Sequence, residues 1–136
     1  MAAVGRALGE LRQFVEGSSA DPAASWGPAA RVFEKWGVKF AYLFGSRARG
    51  TAREDSDWDV AFYFGREVTA LEESMLEEEL ASALGVEVDV VALDVAPLDL
   101  AYVVIRDGVP IYSRDEAERR RWEVETYLEY LDWAGE

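Results

Sequence analysis

Residues 43–60 run Leu43-Phe-Gly-Ser-Arg-Ala-Arg-Gly-Thr-Ala-Arg-Glu-Asp-Ser-Asp-Trp-Asp-Val60, an apolar strand end, a Gly-Ser break, a basic loop and a pair of acids. The run that leads into them, Val38-Lys-Phe-Ala-Tyr-Leu-Phe44, is nearly all apolar and reads as a strand covered on both faces, hence central. It breaks at Gly45-Ser46. A glycine there lets backbone N–H groups come close to a ligand, Ser46 adds a short hydroxyl, and a helix starting at this point would favour an anion at its N-terminus. Arg47, Arg49 and Arg53 follow, with Gly50 permitting a sharp exit. Asp57 and Asp59 then open a second strand that ends at Phe64. Their i, i+2 spacing puts both carboxylates on one face, while Trp58, Val60, Phe62 and Phe64 turn to the other. Two adjacent like charges raise each other's pKa unless a cation is near. A hard divalent ion resolves that conflict, and magnesium is commonly held by one or two carboxylates together with substrate phosphates. A phosphate cradle beside a metal-binding carboxylate pair points to phosphoryl or nucleotidyl transfer.

Downstream, Thr69-Ala-Leu-Glu72 reads as a capping box for a helix to about Leu84, with Gly85 as its C-terminal stop. Val86–Leu93 is a third strand. Asp89 lies inside it with apolar neighbours, where an unpartnered carboxylate is costly, so it is taken as the third acid of the site; Glu87, on the same face but nearer the strand's start, is the alternative. Pro97 opens a helix with Leu98, Tyr102 and Ile105 on one side, Gly108 ends it, and Val109–Tyr112 reads as a short edge strand. Ser113-Arg-Asp-Glu116 reads as a second capping box, opening a terminal helix to about Trp133. Upstream, residues 5–16 read as an amphipathic helix carrying Leu8, Leu11 and Val15, residues 17–22 as a loop, and Pro28 as the start of a helix that stops at Gly37. The expected fold is α/β, of the α+β kind: a small mixed sheet of three to four strands flanked by helices. It forms one domain over residues 1–136, with a motif core at about 30–115 and a terminal helix at about 114–133.

Composition narrows the chemistry. The chain has 136 residues, 14 basic and 27 acidic, for a net charge of −13. A protein this acidic repels a phosphate backbone unless its basic residues cluster, so direct nucleic-acid binding is not expected. There is no cysteine and no histidine. Thiolate nucleophiles, Cys/His zinc sites and Ser-His-Asp triads are excluded, and any general base or metal ligand must be Asp or Glu. No apolar run approaches the ~20 residues of a membrane span, and the start lacks the build of a signal peptide; a cytoplasmic location is expected. The charge is uneven: residues 1–66 carry nine basic and eight acidic groups, residues 67–136 five and nineteen.

The pattern Phe44-Gly45-Ser46, ten residues, then Asp57-Trp58-Asp59-Val60 resembles the nucleotidyltransferase superfamily typified by DNA polymerase beta. The Gly-Ser-Arg-Ala-Arg-Gly and Ser-Asp-Trp-Asp wording is most similar to the minimal nucleotidyltransferases, the MNT or MntA group. By that resemblance Gly45 and Ser46 bind the triphosphate of ATP, Asp57 and Asp59 bind two Mg2+ ions, and Asp89 completes the metal set and helps deprotonate the attacking hydroxyl. Arg47 and Arg49 match positions close to the phosphates. The resemblance implies AMP transfer from ATP to a protein hydroxyl, that of a tyrosine in a HEPN-type toxin, and hence the antitoxin of a toxin-antitoxin pair. A non-catalytic antitoxin that occludes its toxin stoichiometrically is the rival reading, and a small-molecule acceptor is another.

Blander readings exist for single features. Gly45-Ser46 alone would be an ordinary turn, Arg53 a solvated loop charge, and Glu72–Glu79 a wet helix face; Asp89 could be an edge-strand charge that blocks aggregation. In the terminal helix Ala117, Val124, Leu128 and Leu131 follow helical spacing and are expected to dock it on the domain. Trp122 and Trp133 fall together on another face, which reads as an exposed partner interface; the alternative is that Trp133 folds back on the N-terminal helix. The acidic half would steer in a basic partner.

Overall fold

A computed structural model of the chain describes residues 22–53 and 56–135. The expected helix over residues 5–16 and the loop after it, up to residue 21, lie outside the described residues. The described chain runs α1 (Pro22–Trp36), β1 (Phe40–Phe44), α2 (Ser46–Arg49), β2 (Trp58–Tyr63), α3 (Ala70–Leu84), β3 (Val88–Ala92), α4 (Leu98–Asp107), β4 (Val109–Ser113) and α5 (Glu116–Ala134). The four strands form one mixed sheet in the order β3-β2-β1-β4. β1 pairs antiparallel with both β2 and β4, and β2 pairs parallel with β3. The parallel pair needs a long crossover, which α3 provides. The mixed sheet, the helices around it and the central place of β1 are as the sequence predicts.

Both sheet faces are covered. Trp26, Phe33, Val60, Phe62, Leu76 and Leu80 form the larger core, which joins α1 and α3 to one face. Phe40, Tyr42, Ala61, Leu93 and Val104, with Trp122 against them, form the smaller core under α4 and α5. Pro110 lies in β4 at the sheet edge, where a missing backbone N–H is tolerated. Among the described residues no helix is long and apolar enough to cross a membrane.

Three local expectations need correction. α1 begins at Pro22, so Pro28 lies inside the helix and does not start it. Trp26, Ala29 and Phe33 are buried at i, i+3, i+7, and that continuous apolar face carries the helix across the proline. The cap of α5 is Asp115, whose side chain accepts from the Glu118 N–H at 3.1 Å; Ser113 is still part of β4. In α4 the buried residues are Ala101, Val104 and Ile105, and Leu98 and Tyr102 are only half-buried.

The largest correction concerns α5. The helix buries Arg119, Glu123 and Thr126 and leaves Val124, Leu128 and Leu131 exposed. The reason is the surface that receives it. Tyr42 is buried in β1, and its hydroxyl needs a partner inside the core. It donates to Glu123 Oε1 at 2.5 Å, and Arg119 Nη1 donates to the same oxygen at 2.6 Å. Arg119 Nη2 donates to Glu116 at 2.5 Å. Burial, and then the Glu123 charge, push the Tyr42 hydroxyl above its usual range. Burial alone would lower the Arg119 pKa, but its bonds to Glu116 and Tyr42 hold it up, so it stays cationic. Trp122 packs against Phe40, Tyr42 and Tyr63 and is not the exposed tryptophan expected. Trp133 is exposed and leans on Tyr130, which stacks on Tyr102 of α4 at 3.9 Å.

Candidate active site

The site grows from one row of the sheet. Phe44 at the end of β1 is paired with Asp59 of β2, and Asp59 is paired with Asp89 of β3. Paired residues point to the same face, so Asp59 and Asp89 stand side by side on the face that carries α4 and α5. Asp57 does not open the strand as expected: β2 begins at Trp58, and Asp57 is exposed just before it, near enough for its charge to act on Asp59. Burial first, then the charges of Asp89 and Asp57, raise the Asp59 carboxyl above its usual range, and Arg49 pulls the other way. The Glu77 carboxyl on α3 is likewise raised, by burial, Asp89 and Glu73. Glu77 belongs to the acidic run read as solvated, and no signal in the sequence separates it from its neighbours. Asp89 is exposed on the edge strand and is not the buried acid expected. Its place beside Asp59 comes from register. Among the described residues no three Asp or Glu side chains are close enough together to enclose a metal ion; the acids form an open row.

Gly45 is what lets the strand end come so near. Its φ of 75° and ψ of −157° belong to a region that essentially only glycine enters. A Cβ there would lie 2.2 Å from Asp59 Oδ2. The backbone at the start of α2 therefore runs directly against the central carboxylate. No side chain caps this helix start, and the Ala48 and Arg49 N–H groups bond back to the Gly45 carbonyl at 3.1 Å. Gly50, at φ 75°, turns the chain out. Ser46 is the first residue of α2, next to Gly45.

The arginines divide. Arg49 is the cation whose charge reaches Asp59. Arg47 lies over the Trp58 ring, 4.8 Å from its centroid, and donates to the Ser56 carbonyl at 2.8 Å. Trp58 packs edge-on against Trp26 in the larger core, on the sheet face opposite the acids. Arg47 thus ties the loop to β2. Arg53 is exposed, and its backbone N–H bonds the Ser56 hydroxyl in a turn. The Trp58 N–H donates to the Glu87 carbonyl at 3.1 Å, which joins the starts of β2 and β3 and fixes the Asp59–Asp89 register.

Comparison with known proteins places this geometry. Residues 30–117 match the family described as polymerase beta, nucleotidyltransferase. The chain is 38% identical over 76 residues to a protein adenylyltransferase MntA of Thermococcus cleftensis, covering 56% of this chain and 77% of that one. Among solved structures, a crystal structure of a toxin-antitoxin with AMP-PNP superposes with a TM-score of 0.74 at 25% identity, over 81% of this chain and 90% of that chain. A structure described as the tri-AMPylated Shewanella oneidensis HEPN toxin in complex with MNT antitoxin superposes at 0.69 with 22% identity, over 82% and 89% of the two chains; that likeness is one of fold.

Proposed function

The chain belongs to the polymerase beta nucleotidyltransferase family, and from that premise we propose that it transfers AMP from ATP to a hydroxyl of a HEPN-type partner protein, a tyrosine, and serves as the antitoxin of that pair. The relative from Thermococcus cleftensis is named a protein adenylyltransferase, and the superposed structures hold a toxin-antitoxin with AMP-PNP and an AMPylated HEPN toxin beside its antitoxin. The observation that carries the reading to this chain is the contact of Gly45 with Asp59 in the row Asp59–Asp89.

Members of this family generally use a divalent metal ion. The donor set fits one. The acids are hard oxygen donors, and the Asp59 carboxyl is raised by burial and by its acidic neighbours, the state a cation would relieve. Asp57, Asp59 and Asp89 would hold two magnesium ions. When bound, these would neutralise charge on the triphosphate and on the attacking oxygen.

Every other role falls to the chain. Gly45 and Ser46 present backbone and hydroxyl to the triphosphate, and Arg49, next to Asp59, offers it a cation. Arg47 braces the loop on Trp58. Asp89 takes the proton of the acceptor hydroxyl, whose oxygen attacks the α-phosphorus of ATP. The bond to the bridging oxygen breaks, pyrophosphate leaves, and AMP stays on the acceptor. Chemistry that draws on ATP fits a cytoplasmic location.

A second reading, occlusion of the toxin without catalysis, is favoured by the open arrangement of the acids. The separating experiment is intact-mass spectrometry of the HEPN-type partner after incubation with ATP, magnesium and a small fraction of an equivalent of this chain. Complete conversion to an AMP-bearing mass supports transfer. An unmodified partner, inhibited only at equimolar ratio, supports occlusion.

A further inference from the structure

The last four turns of α5 are inverted with respect to an ordinary surface helix. Arg119 and Glu123 are 0% and 1% exposed, whereas Val124, Leu128 and Leu131 are 44%, 58% and 47% exposed. The outward residues Ala117, Arg121, Val124, Leu128 and Leu131 follow a 4-3-4-3 spacing, that of a narrow coiled-coil seam and not of the broad stripe that covers a globular core. One flank of this seam is held by the domain itself: Tyr127 and Tyr130 lie against Tyr102 of α4. At 100° per residue the other flank is formed by Glu118, Glu125, Glu129 and Asp132, and no basic residue follows Arg121 in the helix.

We propose that this seam is the docking surface for a basic amphipathic helix of the partner protein, which lays an apolar ridge on Val124, Leu128 and Leu131 and sets lysine or arginine side chains against Glu125, Glu129 and Asp132. The inference rests on the reading above, that the chain acts on a protein partner. Charge chooses the occupant. A second copy of α5 packed antiparallel would set the row Glu118, Glu125 and Asp132 against the same row, where like charges repel. Packed parallel, it would gain only Arg120 against Glu125. A helix of opposite charge suffers neither penalty, and the acidic flank would hasten its encounter at low salt. The seam lies on the face of the sheet that also carries Asp59 and Asp89, so a partner held there is on the side of the carboxylates.

The test uses the full chain and the HEPN-type protein from the same source. Leu128→Glu/Leu131→Glu alters only exposed side chains; its helical circular dichroism and its binding of ATP with magnesium should match wild type. Its equilibrium affinity for the HEPN-type protein should fall about 100-fold, the scale of a lost hot spot. Glu125→Lys/Asp132→Lys should weaken binding about tenfold and flatten its salt dependence. If wild type binds the HEPN-type protein and the leucine variant binds it equally well, the docking surface is elsewhere and the inference is overturned while the proposed function stands. If wild type itself does not bind, the proposed function fails, and the inference with it. If wild type self-associates in sedimentation and the leucine variant does not, the occupant is a second copy and the inference is overturned.

Discussion

The β1–α2–β2 corner and the helix α5 are built on opposite terms. At the corner every unusual feature is local: a glycine at positive φ, a four-residue helix, and two acids at i, i+2. In α5 the decisive features lie across the molecule. The side chains that anchor it, Arg119 and Glu123, are polar, and they point inward because Tyr42, far away in the chain, offers a buried hydroxyl. A pattern is legible when its cause lies within a few residues. It is misread when the cause is a distant partner.

The sharpest break of this comparison is at the buried network. Arg119→Ala leaves Glu123 in the core without its cation and should cost about 3–5 kcal/mol, read as a lowered midpoint in urea. A loss below about 1 kcal/mol would mean that α5 is held by Trp122 and its ring contacts alone, and the polar anchor would lose its meaning. Gly45→Ala comes next. Backbone strain and the clash with Asp59 should cost about 1–3 kcal/mol, and AMP transfer should fall further than stability does, because Asp59 must move. Wild-type stability and transfer would show that the corner has room which its geometry denies.

Asp59→Asn should give a smaller stability effect of opposite sign. The folded Asp59 carboxyl titrates above its unfolded value. The folded state therefore binds its proton more tightly, and stability contributed by this group is present below the unfolded pKa and lost as pH rises through the folded one. At neutral pH the variant should melt slightly above wild type, and the gap should close as pH falls toward the unfolded value. A gap that widens in acid would contradict the raised pKa. Smallest of all, Leu128→Glu/Leu131→Glu should leave stability within about 0.5 kcal/mol of wild type. A larger loss would mean that the seam is covered by this chain itself.

These contrasts also show what could be read from the sequence. Thr69 and Glu72 form the capping box their spacing predicts, and Gly85 stops α3 at φ 71°, since both signals act over one turn. The mixed sheet follows from four apolar runs, one of them split from its parallel neighbour by a helix. Asp57 and Asp59 are near each other because they lie two residues apart in the chain, and Asp89 joins Asp59 because Trp58 and Glu87 lock the register. The exposure of Asp89 fits the edge-strand reading that stood as the alternative, and nothing local marks β3 as an edge, so the sequence did not choose between the two. The helix carried through Pro28 was hidden for a similar reason: the burial of Trp26 and Phe33 outweighs one missing N–H. Arg47 and Arg49 look alike in sequence, and only the fold puts one on Trp58 and the other near Asp59.

AMP transfer by this chain depends, in the proposed mechanism, on Asp59 and Asp89 together with the nearby Asp57. The most direct measurement is the rate at which the partner's intact mass gains AMP under excess ATP and magnesium, for wild type and for Asp59→Asn, with circular dichroism and melting recorded on both. The expected result is a folded variant, at least as stable as wild type, whose transfer rate falls by more than about 100-fold, or about 2.7 kcal/mol of barrier. A folded variant that keeps more than about a tenth of the wild-type rate, under about 1.4 kcal/mol, would contradict it.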